Sequence, residues 1–334
     1  MQGYPQRRLR RLRGSETLRS MLAGLRLSAA ELIAPLFVRD GQGIQREIPA
    51  MPGQFQFSVD RAMETLRRWS DVGLPAVLLF GIPSTKDERG SSAWDDRGPV
   101  QRLCREIKKA TPQVLVITDV CLCEYTAHGH CGVITKRAGD SAVVDNDATL
   151  ELLGKVAVSH ASAGADLVGP SAMMDGQVAA VRKALDAAGH QDVGILSYAV
   201  KFASSLYGPF RQAAESTPQF GDRRGYQMDY RNPRGIYAEA ACDIDEGADI
   251  IMVKPAGAYL DVIAELRRRV DLPIAAYHVS GEYAAIKAAA AVGFLDERAA
   301  AMEITTAIKR AGADLIITYF AEQLAGWLSG GGDD

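Results

Sequence analysis

Short apolar runs recur along the chain, and most are apolar throughout rather than alternating with polar residues. They are LIAPLFV (32–38), AVLLFGI (76–82), VLVITDV (114–120), DLVGP (166–170), GILSYA (194–199), DIIMVKP (249–255), PIAAYHV (273–279) and LIITYF (315–320). Unbroken apolarity is what a strand needs when both of its faces are covered. Between the runs lie stretches of helical period, among them VDRAMETLRRWSDVG, LELLGKVAVSHASAGA, VAAVRKALDAAG and YLDVIAELRRRV. Several end in glycine shortly before the next run, the usual mark of a helix C-terminus.

Strand–helix alternation implies parallel βαβ units. Eight strands in about 290 residues favour a closed barrel over an open sheet. The open doubly wound sheet usually carries a phosphate-binding glycine loop. Here GQGIQR (41–46) lacks the third glycine, and no Walker-type Gly-Lys-Ser/Thr occurs. The expected architecture is α/β: a single (β/α)8 TIM barrel over residues 31–330, preceded by an extended arm of residues 1–30. In such barrels the chemistry sits at the C-terminal strand ends and in the loops after them.

Composition adds exclusions. Apolar residues make up 47% of the 334 and charged ones 24%, ordinary for a globular protein. A net charge of −3 argues against nucleic-acid binding, and no run of eighteen apolar residues suggests a membrane span. Five unevenly spread cysteines do not form a secreted disulfide framework and suit a reducing cytoplasm. The N-terminal RRLRRLRGSETLRS has three readings: a transit peptide, an arm packing on a neighbouring subunit, or a frayed basic tail.

The strand ends carry the candidate chemistry. After the third run, DVCLCEYTAHGHCG places Asp119, Cys121, Cys123 and Cys131 beside His128 and His130. Three thiolates could hold zinc with one position open, or they could be reduced thiols in a glycine loop. Lys201 and Lys254 follow the fifth and sixth runs. A single lysine there most often snorkels to solvent. Two at neighbouring strand ends would repel, each favouring the neutral, nucleophilic form of the other. Ser280 and Tyr319, after the last two runs, are rim hydroxyls or carboxylate ligands. The polar stretch 204–235 carries Arg211, Arg223, Arg224, Arg231 and Arg234, and its length suggests a lid that clamps a carboxylate.

Together with LIAPLFVRDG, GPSAMMDG, SYAVKFASSLYGPFR, FGDRRGYQ, DIIMVKPAGAYLD and YHVSGEY, these segments resemble the porphobilinogen synthase (δ-aminolevulinic acid dehydratase) family over nearly the whole chain. That resemblance implies condensation of two 5-aminolevulinate molecules to porphobilinogen with loss of two waters, in tetrapyrrole (heme) biosynthesis. It implies Schiff bases at Lys254 for the propionate-side substrate and at Lys201 for the acetate-side one. Arg211, Arg223 and Gln227 would bind the acetate-side carboxylate, and Ser280 and Tyr319 the other. Cys121, Cys123 and Cys131 match the zinc-binding subtype, with Asp119 beside them as a polar or proton-transfer group. Glu239 matches an allosteric magnesium position, although GIYAEAACD departs from the usual family wording. Cys104 and Cys242 match no ligand position, and the histidines are not expected to be ligands. The basic arm implies a homo-octamer. The rival functions are a class I aldolase, which needs one such lysine and no thiolate zinc, and a non-catalytic zinc-binding regulatory or scaffold protein.

Overall fold

The computed structural model describes residues 3–136 and 142–330. Eight parallel strands close on themselves: β1 (Leu32–Arg39), β2 (Ala76–Ile82), β3 (Leu115–Val120), β4 (Leu167–Pro170), β5 (Gly194–Lys201), β6 (Ile250–Lys254), β7 (Ile274–His278) and β8 (Leu315–Thr318). Each pairs with the next, and β8 pairs with β1, so the expected (β/α)8 barrel is the observed fold. Every residue of β2, and all but the last of β1, is buried, which is why these strands read as continuous apolar runs. The helices are amphipathic where they pack on the strands. Val59–Asp71 buries Ala62, Met63, Thr65, Leu66 and Trp69, a single stripe at helical spacing.

One device escapes a reading of periodicity alone. The tripeptide Gly-Ala-Asp occurs immediately before β4, β6 and β8 (164–166, 247–249, 312–314). In each, the glycine takes a left-handed φ of 105°, 105° or 122°, which ends the preceding segment without Cβ strain. The aspartate then clasps the strand before it in both directions. Val116, Ile195 and Ile274 donate backbone N–H to Asp166, Asp249 and Asp314 carboxylates at 2.7, 2.7 and 2.8 Å. The aspartate N–H groups return bonds to the carbonyls of the same three residues. Three strand pairs are thus registered at the end opposite the strand C-termini.

Two hairpins join the barrel that the apolar pattern did not predict: Gln45–Glu47 with Phe55–Ser58, and Val133–Lys136 with Ala142–Asp145. β5 extends to Lys201, beyond the apolar run, so that lysine belongs to the strand itself. The stretch read as a long loop contains a helix, Gly208–Ala213. Residues 3–26 bury nothing; Leu9, Leu12, Met21 and Leu22 are exposed along this arm. Among the described residues no helix is long and apolar enough to cross a membrane.

Candidate active site

Lys201 and Lys254 are direct cross-strand neighbours at the ends of β5 and β6. Each is only 5% exposed. Their amines lie over one ring, that of Tyr198, at 5.4 and 5.0 Å from its centroid. Lys254 also sits 4.1 Å over Tyr277 and 5.1 Å over Phe210, so aromatic rings pack around its amine. Burial first, and the Lys201 charge second, pull the Lys254 pKa down to about 7. An amine that is half neutral near pH 7 is a usable nucleophile.

Lys201 donates to the carbonyl of Ser171, just past β4. The Ser171 hydroxyl in turn donates to Asp119 Oδ2 at 3.1 Å, while Asp119 Oδ1 is buried without a partner. Burial and then Glu124 push the Asp119 pKa up to about 7, against the pull of both lysines. Lys201, Lys254, Asp119 and Tyr198 therefore share one buried site.

The three cysteines meet. Their sulfurs lie within 4.8 Å of one another, and all three residues are buried. Cys131 accepts from Cys121 and Cys123, which holds it well below the ordinary thiol range, with Arg223 favouring its thiolate. Three soft donors at mutual ligand spacing, one already inclined to ionise, fit a thiolate-preferring cation such as zinc. His130 is occupied elsewhere, its ring nitrogens lying 3.1 Å from Tyr226 Oη and 2.9 Å from the Phe220 carbonyl. His128 Nδ1 accepts from the His130 N–H at 3.1 Å. The His130 ring ties the cysteine loop to the chain crossing above it, while His128 Nε2 lies 3.3 Å from the Glu88 carbonyl. Gly129, at φ 74°, allows the close approach, since a Cβ there would meet the Thr217 carbonyl at 2.5 Å.

Residues 204–228 roof the site. Arg223 is buried and donates to the Gly129 and Ser216 carbonyls at 2.9 and 2.7 Å, leaving Nε unpartnered. Arg211 Nε and both amide atoms of Gln227 are also buried without partners. Burial, then Arg223, lowers the Arg211 pKa. The three orphaned N–H groups beside two guanidinium charges suit an anionic group, and Gln227 Oε1 adds an acceptor. Ser280 Oγ, by contrast, is engaged with the roof, accepting from Phe210 N at 3.0 Å and donating to the Leu206 carbonyl at 3.2 Å. Tyr319 Oη lies 3.1 Å from Tyr277 Oη. Arg224 and Arg231 point to solvent and pair with Asp222 and Asp229, and Arg234 is exposed.

Glu239 stands apart, on Ile236–Asp245 outside the barrel. It lines a cavity of about 250 Å³ with Asp175, Asp243 and Glu246, and burial plus Asp175 raise its pKa. Cys242 lines the same cavity, and Cys104 is fully buried, its thiol pushed up to about 12 by burial. Sequence reasoning missed Tyr198, Tyr277, Phe210, Ser171 and Glu124. A tyrosine in an apolar strand looks like core, and only its spacing from a strand-end lysine hints otherwise.

The family model for delta-aminolevulinic acid dehydratase matches residues 6–327. The chain belongs to the delta-aminolevulinic acid dehydratase family. It is 53% identical to the delta-aminolevulinic acid dehydratase of Synechococcus elongatus over 327 residues, covering 98% of this chain and 100% of that one. It is 51% identical to the Escherichia coli enzyme over 318 residues, 95% and 96% of the two chains. The crystal structure of delta-aminolevulinic acid dehydratase (porphobilinogen synthase) from Toxoplasma gondii, in complex with the reaction product porphobilinogen, superposes with a TM-score of 0.93. Sequence identity is 41%, over 96% of this chain and 91% of that one. Membership makes the chain an enzyme, a lyase, and sets aside the scaffold reading of its sequence.

Proposed function

We propose that the chain condenses two molecules of 5-aminolevulinate to porphobilinogen, with loss of two waters, on the route to tetrapyrroles such as heme. The observation that carries this reading is the pair of buried lysines in register beneath one tyrosine ring. Lys254 is assigned the Schiff base of the propionate-side substrate and Lys201 that of the acetate-side one. Each neutral amine attacks a ketone carbon, and the ketone oxygen leaves as water, which accounts for both waters lost. The acetate-side imine on Lys201 loses a proton from its neighbouring carbon to give an enamine, and that carbon bonds to the imine carbon on Lys254. The propionate-side amine then displaces Lys201 as the ring closes, and Lys254 leaves by elimination as the pyrrole forms; both lysines return to the free state and the acetate-side amine remains as the aminomethyl group. A single-imine aldolase leaves the second lysine without a role. Holding both substrates in one pocket replaces a bimolecular encounter, an advantage on the order of 7–11 kcal/mol.

Arg211, Arg223 and Gln227 are assigned to the acetate-side carboxylate, on the strength of their orphaned donors. Tyr319 and Ser280 are assigned to the other; Ser280 must then add this contact to those it makes with the roof, or exchange one of them. Asp119 is positioned by Ser171 to accept and return protons beside both amines. Cys121, Cys123 and Cys131 would hold zinc, which supplies Lewis-acid polarisation of the acetate-side substrate. Glu239, with Asp175 and Asp243 facing the same cavity, would hold an allosteric magnesium. The exposed apolar arm fits a role in building a homo-octamer from barrels of residues 31–330, and five free cysteines fit a reducing cytoplasm.

Porphobilinogen formation from 5-aminolevulinate, measured with and without a zinc chelator, tests the reading. Product that appears, is lost with the chelator and returns with zinc is expected. No product under any metal condition contradicts it.

A further inference from the structure

Residues 204–228 bring Phe210, Arg211, Arg223 and Gln227 over the buried site, so the closed position of this lid completes it. Its anchors differ in kind. One is a short backbone pairing in which Ala203 N–H donates to the Met228 carbonyl and Met228 N–H to that of Lys201. Another is the Ser280 hydroxyl, buried between Phe210 and Leu206. The third is built on charge. At Glu215 the backbone takes φ 51°, a left-handed conformation unusual for a residue other than glycine. Its carboxylate faces Arg39 at 3.6 Å and Arg46 at 3.8 Å, with Gln56 Nε2 at 3.5 Å. Lys86 donates to the Glu215 carbonyl, and Gln56 Nε2 donates to that of Ala213 at 2.7 Å. Arg39 grips the far side of the same Gln56 amide at 2.6 Å. Four polar side chains from β1, the 45–58 hairpin and the segment after β2 thus converge on the two lid residues Ala213 and Glu215, next to Arg211.

We infer that Glu215 is an electrostatic latch, a positioning residue that sets how much of the enzyme holds the lid closed over its substrate. This rests on the function proposed above. The Glu215 side chain is 40% exposed and that of Arg46 66%, so water and salt reach the pair. Exposed ion pairs are individually weak and screened at high ionic strength. Such a latch biases closure without locking it, which suits a lid that must open every turnover. A smaller closed fraction lowers apparent substrate affinity in proportion.

Glu215→Gln keeps the shape and removes the charge. At low salt its KM for 5-aminolevulinate is expected to rise by about 3- to 10-fold with kcat unchanged. Wild-type KM is expected to climb with ionic strength more steeply than the variant's, so that the two converge at high salt. The charge exchange Glu215→Arg with Arg46→Glu is expected to recover part of the affinity, which a purely structural role would not allow. Amide hydrogen exchange of residues 208–216 in the ligand-free chain is expected to quicken in Glu215→Gln. An unchanged KM overturns the latch whatever the exchange rates show. Should the wild-type chain make no porphobilinogen, the functional reading fails by itself, and exchange alone then decides: faster exchange supports the latch, unchanged exchange overturns it.

Discussion

At the scale of single residues the site turns on an amine that burial discharges. Lys254 titrates at about 7 when folded, against an ordinary 10.5. The proposed attack by Lys254 needs the neutral form, so kcat/KM is expected to fall as pH drops through about 7; a profile flat to pH 5 contradicts the assignment. The same shift has a thermodynamic sign. The unfolded chain keeps its proton up to 10.5, so burial of Lys254 destabilises the fold fully below about 7, and the penalty fades as pH rises toward 10.5. Lys254→Met is therefore expected to abolish product formation yet raise stability by about 1–3 kcal/mol, with the larger gain below pH 7. Thermal melts at pH 6 and pH 9 check this, and a destabilised variant at pH 6 counts against it. Cys121→Ala is expected to lose bound zinc and activity together, and a zinc-free variant with full activity would disprove metal catalysis. The lysines and cysteines were legible in the sequence because their chemistry is rare at strand ends. Tyr198 and Tyr277 were not, since aromatic residues in an apolar run are ordinarily core. Gln227 was singled out only through the family resemblance, because an amide has no spacing signature.

At the scale of elements, the strands could be read from unbroken apolarity and the helices from the helical period of the stretches between them. The hairpins at 45–58 and 133–145 were missed because their strands run only three or four residues, and the first is exposed along its outer strand. Gly208–Ala213 is six residues long, too short to show a helical period. The Gly-Ala-Asp repeat was visible as letters, but its purpose is not periodic. The aspartate supplies an acceptor to an N–H at the start of the preceding strand, that of its second residue in β3 and β5 and of its first in β7. Asp249→Ala is expected to leave Ile195 N–H unsatisfied and to cost about 1–3 kcal/mol in urea denaturation, without moving KM. A midpoint equal to wild type would show that water replaces the carboxylate without loss.

At the scale of the whole molecule, the barrel is complete in one chain while none of residues 3–26 is buried against it. Apolar side chains such as Met21, 75% exposed, gain stability only by covering another surface. Removing residues 1–27 is expected to leave a folded barrel of lower assembly mass by light scattering; an unchanged mass would contradict the arm's role in an octamer. The pairing of β5 with β6 matters for chemistry because it puts their terminal lysines side by side over one ring. That convergence is tested most directly by treating the zinc-loaded enzyme with 5-aminolevulinate and borohydride, then mapping the modified peptides by mass. Substrate-sized adducts at Lys254, with a second at Lys201 under saturation, are expected. An enzyme that turns over yet traps no adduct at either lysine, or traps it only elsewhere, contradicts the shared lysine site as the seat of the reaction.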